Sequence, residues 1–419
     1  MKISRFTATL VLLLSVYGIV NAQNGTLTPY SSYGYGILRD HSTSMQRSMG
    51  GVGYAMNSGR QINAMNPASH AAIDSLTFLF DIGLDFTNLW QSEEQNSTKV
   101  KDSKFGGGLD YATMQFPLGR YMGGSVGILP YSSVGYAFGT EIENGIDSRQ
   151  GSGGLNELYV AIAGKPFKGF TVGANISYLF GTIINETYAT LSSSQSALFQ
   201  KQMIVRDFHL NFGAQYSLAL NKGDRLTLGI VYSPAKTLLG TARQVYYDTA
   251  EDSTPEFSDE HKLKDNYSLP ETWGAGINYQ FGRTVMVEFD YTYQPWSKAK
   301  YRGYDTGEEQ ILSFGDRSKF AIGGQYTPDI RGGYHKRMTY RLGAFWSDDY
   351  MKLRNNQLHE YGVTVGLGFP VPTFKTTINL GLEWLHRQAQ PNPLIKENYL
   401  NITIGVNFNE MWFRQSKIY

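Results

Sequence analysis

The sequence predicts an all-β protein, a 14-stranded antiparallel transmembrane β-barrel with an N-terminal plug in its lumen. Three observations predict this fold. Segments in which apolar residues alternate with small or polar ones recur along the chain, and the connections between them alternate between short and long. Beyond the N-terminus, no stretch reaches the ~18 consecutive apolar residues that a membrane-spanning helix needs.

The composition suits membrane strands and excludes several classes of protein. The 419 residues include 37 basic and 36 acidic side chains, so nucleic acid is not an expected partner. Because cysteine is absent, a disulfide framework and a cysteine-anchored lipoprotein are excluded. The 46 Gly, 29 Tyr and 23 Phe are typical of strands and of the aromatic bands of membrane barrels. A soluble β-rich protein such as a propeller can share this composition.

Residues 1–22 are predicted to be a secretory signal peptide. Lys2 and Arg5 precede a short apolar run at residues 10–20, and Val20-Asn21-Ala22 is a suitable cleavage site. The run is too short to span a membrane as a helix. An exported chain without spanning helices is expected to insert as strands, which predicts the outer membrane of a Gram-negative bacterium.

Fourteen segments between residues 76 and 411 show the period of two. In residues 170–180, for example, apolar side chains alternate with small or polar ones. Since successive side chains of a strand point to opposite faces, the apolar face of a barrel meets lipid and the polar face meets the lumen. The alternative is a soluble sandwich whose polar face points outward. The segments begin near Leu76, Lys104, Gly123, Leu155, Phe170, Met203, Arg225, Glu271, Thr284, Ser313, Arg337, Gln357, Phe374 and Tyr399.

The lengths of the connections predict the orientation. Outer-membrane barrels have short periplasmic turns and long extracellular loops. This pattern places both termini in the periplasm, including a C-terminal tail at residues 412–419. Short turns are predicted at residues 119–120, 168–169, 221–224, 282–283, 329–334 and 371–373, and long loops near residues 91–103, 141–154, 184–202, 237–268, 297–312, 347–356 and 387–398.

Residues 23–75 are predicted to form a periplasmic N-terminal segment and a lumen hatch. The stretch from Met45 to Ser69 is too rich in Gly and Asn for a helix and too irregular for a strand. Irregular backbone at membrane depth is tolerated only where protein or a water-filled lumen surrounds it. The run Met49-Gly50-Gly51-Val52-Gly53 and the turn Asn66-Pro67-Ala68-Ser69 resemble the hatch of the FadL family, the outer-membrane transporters of long-chain fatty acids and other hydrophobic compounds. The alternative is an ordinary Gly-rich surface loop.

The third predicted strand contains a second FadL-like feature. Proline cannot donate to a strand ladder, so Pro130 marks an edge, a bulge or a kink. In the FadL family the third strand is kinked inward and opens a gap in the barrel wall. The resemblance therefore implies a lateral opening at Pro130, Tyr131, Ser132 and Ser133, with the two serines solvating the freed carbonyls. A plain bulge without a transport role is the alternative.

The resemblance extends from Met45 to the C-terminus and includes residues 269–276, 288–296 and 340–345. One departure is Asn-Pro-Ala-Ser at residues 66–69, where the family more often has Asn-Pro-Ala-Gly. The pattern looks most like the branch in which some members are parts of larger outer-membrane machines, including secretion systems.

The resemblance implies transport of hydrophobic small molecules, such as long-chain fatty acids, from outer-membrane loops to the lateral opening. Transport of this kind needs no catalysis, cofactor or metal. A ligand carboxylate would need a polar partner in an apolar pocket, and Arg39, Arg47 and Arg60 are the candidates. Alternatively, these arginines pair with inward carboxylates such as Glu288, Asp290 or Glu383. A second hypothesis is a non-transporting subunit that binds partner proteins in an outer-membrane secretion or assembly complex.

An enzyme is not expected. The seven His have no metal-ligand spacing, and no Gly-x-Ser-x-Gly elbow is present. Asp348-Asp349 near His359 and Glu360 would suit a protease of the outer-membrane barrel type, but a solvated loop rim explains these residues more simply.

Overall fold

All fourteen predicted strands are present, and they join side by side into a closed antiparallel barrel. The first and last strands close it, with register from Thr77 opposite Met411 to Glu93 opposite Ile395. The strands are β1 (Thr77–Gln95), β2 (Thr98–Gly119), β3 (Met122–Ile142), β4 (Gly145–Phe167), β5 (Phe170–Leu191), β6 (Ser196–Ala219), β7 (Arg225–Ser233 and Gly240–Asp248), β8 (Glu256–Lys262 and Thr272–Phe281), β9 (Val285–Gln294), β10 (Arg317–Tyr326), β11 (Thr339–Leu353), β12 (Asn356–Pro370), β13 (Thr377–Gln390) and β14 (Ile395–Met411).

The computed structural model describes residues 28–95, 98–142, 145–191, 196–220, 223–248, 256–305, 308–311, 313–371 and 376–411. The predicted signal peptide at 1–22, residues 23–27 of the predicted N-terminal segment and the predicted tail at 412–419 therefore lie outside the described residues, as do parts of the predicted loops and of the turn at 371–373.

The remaining elements are short. Helical turns occur at Pro29–Ser32, Ser44–Arg47, Pro67–Ala72, Leu263–Asp265, Trp296–Lys298 and Tyr334–Arg337, and short strands at Ile37–Leu38, Lys236–Thr237, Ser268–Leu269, Arg302–Asp305 and Glu308–Ile311. Within the described ranges, no helix combines the length and the apolar character that crossing a bilayer requires.

The two faces of the barrel are the reverse of those of a soluble sandwich. On β5, Asn175 is only 5% exposed, whereas its neighbour Ile176 is 50% exposed. The same alternation recurs on other strands, for example with Thr364 buried between exposed Val363 and Val365. An outer face of aliphatic side chains and an inner face of polar ones is the arrangement of an outer-membrane-type barrel.

Aromatic side chains lie in two bands on the outer face. One band is close to the short turns and includes the ring pairs Phe167–Phe170 and Tyr279–Phe281, 4.7 and 4.3 Å apart. The other band lies farther along the strands and includes the pairs Tyr232–Trp273, Tyr291–Phe320, Phe320–Trp346 and Tyr361–Trp384. Two such bands flanking an aliphatic belt are typical of strands that cross a bilayer.

The barrel wall is much taller on one side than on the other. The strands β1 to β6 have 19 to 24 residues, whereas β9 and β10 have 10 each. About 9–11 residues of a tilted strand cross the bilayer, so β1 to β6 continue for roughly 30 Å beyond that length.

The predicted loops near 91–103, 141–154 and 184–202 were therefore wrong in large part, because most of these residues belong to strands. Above the apolar belt both strand faces are polar, so the period of two disappears from the sequence although the ladder continues. Gln150, Glu186 and Gln200 are bonded side by side on three neighbouring strands there. We call the part of β1 to β6 beyond the belt the projecting wall.

Candidate functional site

The N-terminal segment, residues 28–76, has an irregular backbone held by its own amide side chains. Gln46 caps the helical turn Ser44–Arg47 by accepting from the Thr43 backbone N–H at 2.8 Å. The Asn63 side chain donates to the carbonyls of Gly53 and Met56. Such side-chain bonds replace a regular ladder, which explains why the stretch is rich in Asn and Gln.

Asn66, Pro67 and Ala68 form a helix start in this segment. The Asn66 carboxamide oxygen accepts from the Ala68 N–H at 3.0 Å, and Pro67 occupies the first helical position, where a backbone N–H is not needed. The amide of Asn66 also donates to the Tyr54 carbonyl at 2.7 Å. The turn therefore ties residue 66 to residue 54 within the segment.

Two carboxylates of β9 bind three consecutive backbone N–H groups of the segment. Asp290 Oδ2 accepts from the N–H of Gly53 at 2.6 Å and of Tyr54 at 2.9 Å. Glu288 Oε1 accepts from the N–H of Ala55 at 2.8 Å. Both carboxylates are almost fully buried, and these bonds, together with one that the Asn278 amide donates to Glu288 at 2.6 Å, compensate for leaving water. We call this pair the carboxylate cradle.

The barrel wall carries glycine at many of the points where the N-terminal segment approaches it. On ten strands, a Cβ atom placed on a wall glycine would lie closer than 3.0 Å to an atom of the segment. At Gly323 and Gly343 the obstructing group is the backbone of Met49, and at Gly366 it is Ser48. The full set is Gly123, Gly173, Gly213, Gly229, Gly274, Gly276, Gly323, Gly343, Gly366, Gly381 and Gly405.

The predicted hatch glycines also meet the wall. The N–H of Gly50 donates to Thr364 Oγ1 on β12 at 2.8 Å. Gly50 and Gly51 both have positive φ, at 73° and 81°, a conformation that favours glycine. Gly53 has no room for a Cβ beside Gln46 and Met65.

Two of the three predicted arginines are held in ion pairs. Arg39 lies 3.1 Å from Asp85, and Arg47 lies 3.5 Å from Asp85 and 2.8 Å from Asp110. The carboxylates are therefore Asp85 and Asp110 rather than the predicted Glu288, Asp290 and Glu383. Arg60 is exposed and does not lie with the other two.

Further charges surround residues 38–41. Asp40 pairs with Arg317 at 3.1 Å and with Lys319. Burial would raise the pKa of Asp40, but these two cations outweigh it and hold the pKa well below its usual range. His41 and His209 flank Glu157 at 3.5 and 3.1 Å.

The two cavities that border these residues are small, and charged and apolar side chains share their linings. Their volumes are about 80 and 120 Å³. Charged residues lining one or both are Arg39, Asp40, Arg47, Asp85, Asp290, Arg317, Lys319, Glu360, Glu383 and Arg387. Both volumes are well below the ~300 Å³ at which ligand pockets begin, so these cavities suit water better than a hydrophobic ligand.

Apolar side chains nearby are packed against one another. Tyr35 of the N-terminal segment is fully buried beside Trp296, with ring centroids 5.7 Å apart, and Trp296 lies 4.5 Å from Tyr350. The Tyr350 hydroxyl donates to the Gly36 carbonyl at 2.6 Å. The segment's own aromatic residue thus fills this apolar volume.

The third strand is irregular at Pro130. Pairing of β3 with β4 shifts by one residue between Pro130 and Ser132, so Tyr131 is the extra residue of a bulge. On the other edge, pairing of β3 with β2 ends at Ile128 opposite Ala112. Beyond that point Ser132 and Ser133 pair with Leu38 and Ile37.

At the bulge, the Ser132 hydroxyl does not bond a freed carbonyl as expected. The backbone of the N-terminal segment pairs with Ser132 and Ser133, and the Ser132 hydroxyl has no hydrogen-bond partner among the described residues. The side chain of Tyr131 lies between His41 and His209, with ring centroids 6.4 and 6.3 Å away.

Three of the four residues considered for a protease are held in ion pairs. His359 bonds Asp348, whereas Glu360 pairs with Arg387 at 2.8 Å. Among the residues that the structure describes, no group of three or more His, Asp or Glu is arranged to hold a metal ion.

Sequence reasoning missed Asp85 and Asp110 and assigned the carboxylate cradle the wrong partners. A signal for Asp110 was present, because the triplet Gly106-Gly107-Gly108 precedes it in a strand, and glycine in a strand often marks a bulge. The pairing of β1 with β2 does shift at Asp110. The wall glycines were visible in the sequence as Gly residues recurring within successive strands.

Comparison with known proteins gives a family match and a shared fold. A family model described as BamG matches residues 3–419. No curated protein matches the sequence. The toluene transporter TbuX of Ralstonia pickettii is 16% identical, with a TM-score of 0.60 over 88% of this chain and 98% of that one. The toluene transporter TodX of P. putida is 15% identical, with a TM-score of 0.62 over 90% and 100%.

A FadL homologue of Pseudomonas aeruginosa is 11% identical, with a TM-score of 0.62 over 89% of this chain and 99% of that one. At these identities the similarity establishes the fold. The predicted FadL-like barrel is therefore confirmed.

Proposed function

This chain belongs to the BamG family and has a FadL-like fold, and from that premise we propose that it is a plugged outer-membrane barrel acting as a non-transporting subunit of a larger outer-membrane complex. In this proposal the N-terminal segment is the hatch that plugs the lumen. Its contacts with the buried polar face and glycines of ten strands support that placement.

The observation that carries the proposal is the filled apolar volume around Tyr35. A transporter of hydrophobic molecules needs an apolar space that a ligand can enter. Here Tyr35, Trp296 and Tyr350 pack against one another, and the two cavities around residues 38–41 have volumes of only about 80 and 120 Å³. The interior therefore suits a permanent plug better than a ligand route.

The positions of the short turns support an orientation of the barrel in the membrane. The chain enters β1 at Thr77 and leaves β14 at Met411, which face each other at the end of the short turns. We place this end, and with it both termini, in the periplasm. The projecting wall then stands outside the cell, where its strand surface is available to partner proteins.

Transport of a hydrophobic molecule, such as a long-chain fatty acid or a monoaromatic compound, is the second candidate function. The shared fold and the end of β2–β3 pairing at Ile128 favour it. Arg39 and Arg47 suit a ligand carboxylate poorly in the closed state, because carboxylates already bind them. Arg60 is exposed and is the freer of the predicted ligand residues.

One experiment separates the two functions. The protein is extracted from native membranes in mild detergent and analysed by native mass spectrometry together with extraction of bound lipid. The proposal expects stoichiometric protein partners and only ordinary membrane lipid. A barrel without partners that retains a fatty acid or aromatic compound, and loses it in Pro130→Ala, would overturn it in favour of transport.

A further inference from the structure

The barrel wall contains a seam between β2 and β3. Both strands continue for many residues after their mutual pairing ends at Ala112 and Ile128. Each stays paired with its other neighbour, β1 and β4 respectively. We call the facing edges, residues 98–111 of β2 and 129–142 of β3, the seam.

On the β3 side of the seam, isolated hydrogen-bonding groups take the place of a neighbouring strand. The Arg39 N–H donates to the Tyr131 carbonyl at 2.9 Å, next to the two residues that pair as a short strand. The Ser31 hydroxyl bonds both the N–H and the carbonyl of Gly135 at 3.0 Å. Lys104 Nζ reaches the Ala137 carbonyl at 3.2 Å. This edge thus accepts extended backbone, because residues 37–38 already supply some.

The β2 side of the seam has less cover. Over residues 98–111, the described residues provide β2 with a ladder partner on the β1 side alone. The stretch Phe105-Gly106-Gly107-Gly108-Leu109 carries no charge, and Gly106 and Gly108 are partly exposed. Phe105 is 70% exposed and Leu109 is 55% exposed. Native proteins usually protect such an edge.

The seam begins within the membrane belt. Leu109 lies ten residues before the end of β2 at Gly119, which corresponds to roughly 25 Å along the barrel axis for a tilted strand. This is about the height of the apolar belt, and lipid cannot satisfy free backbone N–H and C=O groups. An extended strand is the group that satisfies an alternating row of donors and acceptors.

We infer that the β2 edge of the seam is an acceptor for a β-strand supplied by a partner protein. The inference rests on the proposed function and names the site through which the partner binds. The added strand pairs with residues 98–111, and its apolar side chains cover Phe105 and Leu109. Arg39 and Arg47, paired with Asp85 and Asp110, hold the N-terminal segment behind the seam during this binding.

The test uses a photoreactive amino acid in the full chain in native membranes, placed singly at Phe105 or Leu109. The control position is Val160, which is 57% exposed on β4 but paired on both edges. Strand addition predicts a discrete protein adduct from each test position and none from the control. Because paired strands advance residue by residue, the two adducts should map four residues apart in one continuous segment of the partner.

A second variant tests the edge itself. Phe105→Lys places a charge on the edge and is expected to lower the adduct from Leu109 by about tenfold or more. Ile146→Lys, at an exposed apolar position on β4, is the matched control and should leave that adduct unchanged. Heat-modifiable migration verifies that each variant barrel is folded.

Each outcome decides the inference. Adducts with lipid alone, adducts of equal yield from Val160, or partner residues without the four-residue spacing would overturn strand addition. If partners co-purify but cross-link elsewhere, the seam assignment fails and the proposed function stands. If neither partners nor protein adducts are found, both fail.

Discussion

The carboxylate cradle should determine how firmly the N-terminal segment is held. We predict that Asp290→Ala releases the segment while the barrel stays folded. Asp290 accepts the N–H groups of Gly53 and Tyr54 at 2.6 and 2.9 Å. The ladders of β9 with β8 and β10 are made by backbone groups and do not depend on this side chain.

The expected increase in the released population follows from the loss of the two hydrogen bonds that Asp290 accepts. Truncation leaves two buried N–H groups without an acceptor, and each costs about 1–3 kcal/mol. The sum of about 2–6 kcal/mol corresponds to a rise of roughly 30-fold to 10⁴-fold in the released population, at 1.4 kcal/mol per factor of ten. Glu288 still binds Ala55 and limits the release.

The chain has no cysteine, so one introduced cysteine reports on the segment. Met56 is 3% exposed, and Met56→Cys should react with a soluble maleimide only after release. The labelling rate is compared with and without Asp290→Ala. Asp224→Ala is the matched control, because Asp224 also accepts a backbone N–H, that of Gly282 at 2.8 Å, but at a barrel turn.

The reasoning is refuted if Asp290→Ala raises the labelling rate no more than Asp224→Ala does. It is also refuted if heat-modifiable migration shows that the barrel itself has unfolded, since the cradle would then support the wall instead of the segment.

Three further predictions use the same labelling assay. Gly343→Ala places a Cβ against the backbone of Met49 and should speed labelling about tenfold or more, whereas Gly164→Ala, whose nearest neighbour is 3.8 Å away, should have no effect. Arg47→Ala leaves buried Asp110 without its cation and should lower the free energy of releasing the segment by about 3–5 kcal/mol. Exposed Arg60→Ala should change this free energy by no more than about 0.5 kcal/mol, and equal effects of the two variants would contradict this assignment. Burial lowers the pKa of His70 to about 4, so its contribution to holding the segment should be complete above pH 6.5 and should fall as the pH drops toward 4. The pH dependence of labelling should weaken in His70→Gln, and an unchanged profile would exclude His70 as its source.

The strands were predictable because the membrane imposes a pattern on the sequence. Lipid on one side and polar groups on the other give each strand a period of two, and all fourteen segments were found from it. The predicted starts at Phe170 and Arg225 coincide with the strands. The start predicted at Leu155 was ten residues late, because β4 begins at Gly145 in the projecting wall, where neither face meets lipid.

The site was less predictable because its contacts join positions distant in sequence. The charge of Arg47 indicated a need for a partner, but Asp110 reaches it only through a one-residue bulge in β2. Likewise, the positions of Asp290 and Glu288 on one strand face were visible, but their partners are backbone N–H groups, which carry no sequence signature. Alternation predicts which face a side chain occupies and gives no information about what lies against it.

The chemistry that holds the N-terminal segment bears on whether it moves. Three backbone bonds to the cradle and the ion pairs of Arg39 and Arg47 fix the segment at several points. A ligand can open such a plug only if it binds the released state more tightly by the whole free energy of release. An apolar molecule would gain little from the charged cavities behind the segment, whereas a partner strand at the seam binds without any release. The contacts therefore favour a barrel that works with its N-terminal segment in place.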